Sequence, residues 1–308
     1  MHTPPASPAV TTMPAQPAVH PLGAFIGAAI SGVDLSAPLR PADAEMITEA
    51  VTEHQVVFVR DQSLDERQLW RLAEQFGVPA VHPVDGLAGS GGSVSGKVVS
   101  SIRDTAARPP AEFDWHTDLS WTQTPPAWGF LHAVEIPRTG GDTQWASGFA
   151  MYDALGPRLA RLCDRLSMVH RPSPEFVASV RTTHGDRVAA QLIEKHAGAE
   201  HPLVRVHPRS GRRALWLSRL YAREVVGAVG IDSDTVARLV HRRLDDVRHQ
   251  IRWRWREGDV AIWDEMSTCH RALGDHFPQP RTMLRCTIAG DRPIGLNLHP
   301  SMGRPAIS

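Results

Sequence analysis

A histidine and an aspartate two residues apart, His116 and Asp118, have the residue types and the spacing to hold a metal ion. On an extended strand, residues i and i+2 point to the same face, so an imidazole nitrogen and a carboxylate oxygen would converge on one point. Two histidines and one carboxylate form the ligand set of non-haem Fe(II) oxygenases. The best candidate for the third ligand is His270, which follows the short apolar run 260–263. A catalytic zinc site could use the same residue types, so that alternative stays open.

A second His-x-Asp triplet, His184 to Asp186, stands in a different context. Its middle residue is glycine, and the flanking residues 181–183 and 187 are polar. This composition predicts a solvated helix bend or loop rather than a metal site. His116, by contrast, is preceded by Trp115 and followed by further apolar residues.

Two arginines downstream of His270, Arg281 and Arg285, indicate that the site also binds anions or contains water. Residues 280–288 are typical of a strand, on which Arg281 and Arg285 share one face. A strand this apolar is expected to be covered on both faces. Its guanidinium groups then need anionic partners or a water-filled cavity, because an unpaired buried charge is costly. A zinc hydrolase would not require these arginines.

The elements that position these residues are short and numerous. Helical spacing appears at 41–53 and, after the capping-box sequence Ser63 to Glu66, in a helix that stops at Gly77. Residues 147–197 are predicted to be mostly helical, and a further helix to run from Ser233 to about His249. Apolar runs predict strands at 56–59, 129–136, 201–207, 214–217 and 251–255. Many short strands with one helical insertion favour a jelly-roll barrel with flanking helices.

The composition of the 308 residues bounds the class of protein. Hydrophobic residues make up 42% and the formal net charge is zero, so the chain can bury a core and nothing global indicates nucleic-acid binding. No apolar run approaches the length of a membrane helix. Residues 1–19 are predicted to be a disordered leader rather than a signal peptide. The three unpatterned cysteines fit free thiols in a reducing cytoplasm, where we expect the protein.

The glycine-rich stretch 86–97 is a flexible loop by composition. Its spacing Gly91 to Gly96-Lys97 approaches that of a phosphate-binding loop, but Val98 stands where Ser or Thr should hold Mg²⁺. The residues that follow favour a strand, whereas a phosphate loop should open a helix. We therefore interpret the stretch as a lid or disordered flap between His82 and the strand that carries His116, rather than as a nucleotide site.

Taken together, the motifs resemble the TauD/TfdA family of Fe(II)/2-oxoglutarate-dependent dioxygenases. The resemblance rests on segments spread from about residue 20 to about 294. They are His116-Thr-Asp118, Thr139-Gly-Gly-Asp-Thr143, Trp263-Asp264 with His270, and Arg281 with Arg285. It implies a single domain over residues 20–300 with a mainly β fold: a double-stranded β-helix (jelly-roll) core, flanking helices and a helical insertion.

The resemblance also implies a role for each candidate residue. His116, Asp118 and His270 would bind Fe(II). Arg281 would pair with the distal carboxylate of 2-oxoglutarate, to which Thr143 would add a hydroxyl donor. The residues expected around the prime substrate are His82, Asp85, Glu112, Tyr221 and Arg285. Asp85 and Glu112 stand where the family's taurine enzyme has tyrosine and asparagine, and Glu265 replaces the usual asparagine after Trp-Asp.

The implied activity is oxidation of a small acidic or zwitterionic molecule by O₂, with 2-oxoglutarate converted to succinate and CO₂. The outcome could be hydroxylation, desaturation or cleavage. A zinc-dependent hydrolase and a non-catalytic relative that only binds a metabolite stay open as alternatives. We expect a homo-oligomer, either a dimer or a tetramer, with no nucleic-acid or membrane partner. We also expect taurine to be a poor substrate and a bulkier molecule to be preferred, with Trp121, Trp128 and Tyr221 adding aromatic surface to the pocket.

Overall fold

The computed structural model describes residues 16–89, 99–111, 113–229, 232–296 and 302–303. Its helices are α1 (Pro41–His54), α2 (Glu66–Glu74), α3 (Pro83–Ala88), α4 (Gly148–Asp153), α5 (Pro157–Cys163), α6 (Pro174–His184), α7 (Asp186–Lys195) and α8 (Ser233–His241). The strands of the first half are β1 (Ala18–Pro21), β2 (Ala28–Ser31), β3 (Val56–Val59), β4 (Ser100–Asp104), β5 (Trp128–Glu135), β6 (Thr143–Ser147) and β7 (Ser167–His170). The later strands are β8 (Ala199–Pro202), β9 (Val204–Val206), β10 (Arg213–Leu215), β11 (Ala222–Val226), β12 (Gln250–Trp253), β13 (Val260–Asp264), β14 (Thr268–Ala272), β15 (Arg281–Ile288) and β16 (Met302–Gly303).

Two packed sheets form the core of the molecule. The larger has seven strands in the order β1-β2-β3-β13-β5-β15-β4, and the smaller has three in the order β12-β6-β14. Large side chains from both sheets fill the space between them. Phe58 of the larger sheet stacks on Trp253 of the smaller one, with ring centroids 3.9 Å apart. This is the predicted jelly-roll core.

Helices α1 and α2 cover the outer face of the seven-stranded sheet. Ile47 and Val51 of α1 and Leu69 and Leu72 of α2 are buried in one cluster with side chains of β3, β5, β13 and β15. The central strands are therefore apolar on both faces, as the four buried residues of β3 show.

The capping box of α2 differs from the predicted one. The N-cap is Asp65, whose carboxylate accepts from the Gln68 N–H at 2.7 Å, while the Gln68 side chain accepts from the Asp65 N–H at 2.9 Å. The prediction from Ser63 and Glu66 is wrong by two residues, because an aspartate and a glutamine satisfy the same two N–H groups. The helix ends at Glu74 rather than running to Gly77.

The segment 147–197 is not purely helical. It contains helices α4 to α7, but β7 pairs with β8 and β11 in a separate four-stranded sheet that also includes β16. Three of the four residues of β7 are buried, and this burial between neighbouring strands outweighs the helical context. The helix predicted from Ser233 to His249 ends at His241 and continues only as short 3₁₀ turns. Gly185, with a φ of 86°, separates α6 from α7 as the predicted helix bend.

Two predicted flexible segments fall partly outside the described residues. Most of the glycine-rich stretch, residues 90–98, lies outside them, but residues 86–88 belong to helix α3, which corrects the prediction of a loop there. Residues 1–15 of the predicted leader also lie outside, and β1 begins at Ala18 within it. Among the described residues, no helix is long and apolar enough to cross a membrane.

Candidate active site

His116 and His270 are held side by side by their own backbones. Each backbone N–H donates to the other residue's carbonyl, at 2.9 Å and 2.7 Å, in an isolated antiparallel bridge. Directly opposed residues of an antiparallel pair project their side chains to the same face. The two imidazole rings therefore lie with their centroids 4.4 Å apart. Strand β14 carries His270 between residue 116 on one side and β6 on the other.

Asp118 reaches this point by a turn rather than by strand alternation. The chain leaves the extended conformation after His116, and Leu119 has a φ of 51°. The prediction that residues 116 and 118 share the face of one strand is therefore wrong in its geometry. The Thr117 hydroxyl donates to the Thr268 carbonyl at 2.9 Å and anchors the turn. Asp118 Oδ1 still lies 3.7 Å from His116 Nε2 and 3.6 Å from His270 Nε2.

The three side chains fit the ligand set of a non-haem Fe(II) ion. One ligand atom from each lies within 4.8 Å of the others, and all three residues are buried. His116 Nδ1 lies 2.9 Å from the Asp114 carbonyl, so the proton of the neutral ring is placed at Nδ1 and the lone pair at Nε2, facing Asp118. Two imidazoles and one carboxylate on one side of an ion match the 2-His-1-carboxylate set.

The electrostatics keep all three groups in the forms that bind metals. Burial lowers the pKa of His116, and burial together with the neighbouring His116 lowers the pKa of His270 to about 3. Burial alone would raise the pKa of Asp118, but Arg285 and the two histidines outweigh it and hold that pKa below its ordinary value. Neutral imidazoles and an ionised carboxylate need lose no proton on binding a cation.

Arg285 contacts Asp118 directly. One of its terminal nitrogens forms an ion pair with Asp118 Oδ2, the carboxylate oxygen that does not face the two imidazoles. The sequence predicts Arg285 as a residue that grips the prime substrate, and it does line the cavity. The structure adds that its guanidinium also fixes the rotation of the Asp118 carboxylate.

Arg281, on the same face of β15, has no close carboxylate partner. Its side chain is 5% exposed, its nearest carboxylate is Asp104 at 3.8 Å, and its Nε has no hydrogen-bond partner among the described residues. Thr143 faces the same cavity, and its hydroxyl oxygen accepts from Trp255 Nε1 at 3.0 Å, which leaves the hydroxyl proton for another acceptor. A buried, poorly paired guanidinium beside a hydroxyl donor is suited to an anionic ligand.

One cavity of about 820 Å³ joins these groups. His116, His270, Thr143, Arg281 and Arg285 all line it. Its volume lies within the range of small-molecule sites.

Of the predicted substrate residues, His82 and Asp85 line the cavity, at helix α3. Burial and the charge of Arg285 lower the pKa of His82 to about 4, so its ring is neutral at pH 7. Its Nδ1 accepts from the Val84 N–H at 3.2 Å, which leaves the ring proton on Nε2. Asp85 accepts a 2.5 Å hydrogen bond from the Ser100 hydroxyl.

Three aromatic residues that were expected at the pocket, Tyr221, Trp121 and Trp128, do not line the cavity. Tyr221 is buried behind it, edge-on to His116 with ring centroids 6.0 Å apart. Trp121 packs behind Phe176, and Trp128 lies in the core under α2, against Phe76. The structure therefore does not place Tyr221, Trp121 or Trp128 in the cavity lining, because each ring packs between elements. Glu112 lies outside the described residues.

Sequence reasoning did not find the residues that replace them. Phe113 and Phe176 supply the aromatic wall, and His276 lies in the lining near Arg281. Phe113 adjoins the metal motif and could have been proposed, whereas Phe176 in α6 carries no local signal. The sequence marks Glu265 only as a departure from the family pattern and gives it no role. Its two carboxylate oxygens accept from Asp118 N and Trp263 Nε1, and burial together with the Asp118 charge raises its pKa well above the ordinary value.

The jelly-roll core and this cluster of two histidines and one carboxylate define the class of protein as a mononuclear metal-dependent oxygenase. The chain belongs to the taurine catabolism dioxygenase TauD, TfdA family, whose model matches residues 18–287. It is therefore an α-ketoglutarate-dependent dioxygenase that uses Fe(II), 2-oxoglutarate and O₂.

Individual relatives support this membership over nearly the whole chain. An α-ketoglutarate-dependent sulfate ester dioxygenase of Pseudomonas putida is 35% identical over 288 residues, which cover 91% of each chain. An alkylsulfatase of Acinetobacter baylyi is 32% identical and is aligned over 88% of this chain and 84% of its own length. The crystal structure of a taurine dioxygenase from Burkholderia xenovorans superposes with a TM-score of 0.79 at 32% identity, covering 94% of this chain and 97% of that one.

Proposed function

We propose that this dioxygenase oxidises a small organic acid or zwitterion in the cavity above His116, Asp118 and His270. The oxidation converts 2-oxoglutarate and O₂ into succinate and CO₂. The proposal is supported by one cavity that is lined by His116 and His270, the two histidines that meet Asp118, together with the poorly paired Arg281 and with Arg285. Two separate guanidiniums beside one metal site fit two separate anions, the cosubstrate and the prime substrate.

The residues of the cavity divide the work of binding. His116, Asp118 and His270 would hold the iron, which when bound activates O₂ for the oxidation. Arg281 and Thr143 would bind the distal carboxylate of 2-oxoglutarate through a guanidinium and a hydroxyl donor. Arg285 and the Nε2–H of His82 would orient an anionic group of the prime substrate. Phe113 and Phe176 would exclude water from its apolar part.

The relatives narrow the class of substrate to test first. Their names describe action on sulfate esters, an alkyl sulfate and taurine, and each of these substrates carries an anionic sulfur group. Hydroxylation of the carbon bonded to a sulfate oxygen would give an unstable product that releases sulfate. Sulfate esters with an apolar organic part are therefore the first candidates for a cavity that joins Arg285 to an aromatic wall.

The decisive experiment is a substrate screen with purified protein, Fe(II) and 2-oxoglutarate. Sulfate esters, sulfonates, aryloxyalkanoates and amino-acid-like acids would be compared by O₂-dependent succinate formation. We expect succinate to form in proportion to the oxidised substrate. Substrate hydrolysis without O₂ would instead indicate the zinc hydrolase, and binding without any turnover would indicate the non-catalytic relative. The homo-oligomeric state, the cytoplasmic location and the single domain over residues 20–300 stay predictions.

A further inference from the structure

Glu265 lies behind the metal site, fully buried at the end of β13. Its own backbone is fixed from two directions. The Glu265 N–H donates to the Ala127 carbonyl at 2.9 Å, and the Trp216 indole N–H donates to the Glu265 carbonyl at 3.1 Å. The side chain therefore projects from a point that two other parts of the fold hold in place.

Each oxygen of the Glu265 carboxylate accepts from a different donor. Oε2 accepts from the backbone N–H of Asp118 at 3.0 Å, and Oε1 accepts from the indole N–H of Trp263 at 2.8 Å. The first contact holds the main chain of the only carboxylate in the ligand set. The second holds an indole that packs edge-on against the His270 ring, with centroids 5.3 Å apart. One side chain thus supports two of the three ligands.

We propose that Glu265 is a positioning residue for the metal, setting the Asp118 main chain and, through Trp263, the His270 ring. The inference rests on the proposed role of His116, Asp118 and His270 as ligands. A carboxyl group suits this task because each of its two oxygens accepts from one N–H donor. Glutamine has the same length but only one acceptor oxygen, so its NH₂ group would face one of the two donors.

Asp259 provides a matched control at the opposite end of the same strand. It is also buried and also accepts from an indole and a backbone N–H, namely Trp253 Nε1 at 3.1 Å and Arg256 N at 2.9 Å. None of its described partners contacts His116, Asp118 or His270. Asp259 also pairs with Arg60, at 2.7 Å, so Asp259→Asn perturbs a buried, hydrogen-bonded carboxylate without touching the proposed metal support.

The test is anaerobic equilibrium dialysis of the folded variants against Fe(II) alone. We expect Glu265→Gln to raise the Kd for Fe(II) by about 10- to 100-fold, as for other groups that orient metal ligands. Asp259→Asn should lower the melting temperature but leave the Kd at the wild-type value. The visible absorption bands of the Co(II)-loaded protein should shift in Glu265→Gln alone, because they report the geometry of the ligands.

The Kd for Fe(II) in these variants, and in two others, decides between a positioning role for Glu265 and none. A wild-type Kd in Glu265→Gln, or an equal rise in Asp259→Asn, would overturn the positioning role. If Glu265→Gln does not fold, Trp263→Phe decides instead, because it removes only the indole support; a wild-type Kd there would overturn the inference. His270→Ala tests the assignment of the metal ligands separately from the role of Glu265. Retained Fe(II) binding in that variant would overturn the ligand assignment itself, whereas lost binding would leave the test of Glu265 standing.

Discussion

Arg281 and Arg285 lie four residues apart on the same face of β15, yet their surroundings differ. Arg285 is already paired with the carboxylate of Asp118, whereas the nearest carboxylate to Arg281 is Asp104 at 3.8 Å. Arg281 is also the more buried of the two, since its side chain is 5% exposed against 21% for Arg285. A deeply buried guanidinium without a close partner is suited to a ligand that the fold does not supply. Arg285 instead combines a protein contact with access to the cavity.

Arg281 and Arg285 show that spacing alone does not assign a role to a charged side chain. Both arginines follow the same strand periodicity, and the register places Asp104 opposite Arg281 and Ser100 opposite Arg285. What separates them is the distance to a carboxylate on another element. We therefore expect substitutions of the two arginines to affect different equilibria.

The largest effect is expected at the metal ligands, on which both roles depend. His116→Ala, Asp118→Ala and His270→Ala should each abolish Fe(II)-dependent succinate formation while circular dichroism shows a folded protein. Asp186→Ala is the matched control, since Asp186 belongs to the other His-x-Asp triplet and pairs with Arg181 at the surface. Near-wild-type turnover in any of the three alanine variants would show that the assignment of the ligands is wrong.

The next largest effect is expected at Arg281. Loss of one side of a buried charge pair costs roughly 3–5 kcal/mol. Arg281→Ala should therefore raise the KM for 2-oxoglutarate by about 100-fold to several thousand-fold, with a much smaller change for the prime substrate. Arg281→Lys keeps the charge but loses the bidentate fork. Its KM for 2-oxoglutarate should therefore lie between those of the wild-type protein and Arg281→Ala. An unchanged KM for 2-oxoglutarate in Arg281→Ala would place the cosubstrate elsewhere in the cavity.

A smaller and differently distributed effect is expected at Arg285. Arg285→Ala should raise the KM for an anionic prime substrate more than the KM for 2-oxoglutarate, by about 10-fold for a charge-assisted hydrogen bond. It should also weaken Fe(II) binding, because Asp118 Oδ2 loses its ion-pair partner. Initial rates with each substrate varied in turn, and dialysis against Fe(II), measure the two effects. If Arg281→Ala and Arg285→Ala each changed the KM for 2-oxoglutarate and the KM for the prime substrate by the same factor, the two arginines would not serve different ligands.

The part of the site that could be predicted from sequence is the part built on backbone periodicity. The strand pattern predicts Arg281 and Arg285 on one face, and the short apolar run 260–263 points to His270 a few residues further on. The Asp118 turn and the Glu265 contact could not be predicted, because each depends on a partner more than a hundred residues away. The aromatic wall was assigned to Tyr221 rather than Phe176, since composition does not tell which of two packed rings faces the cavity.

The smallest effect is expected at Asp85, which lines the same cavity as Arg285. Its carboxylate accepts from Ser100, the residue opposite Arg285 in the strand register, so it stands on the rim of the anion site. Like charges at ~5 Å cost a few kcal/mol at an effective dielectric of about 20, although solvent at this partly exposed rim reduces that cost. We therefore expect taurine to be a poorer substrate than larger acids at saturating 2-oxoglutarate. Asp85→Asn should raise kcat/KM for taurine by only about 3-fold, because it removes a solvent-screened repulsion and keeps the size of the side chain. Sulfite release from taurine measures this. Efficient release by the wild-type protein would show that Asp85 does not oppose a sulfonate held at Arg285.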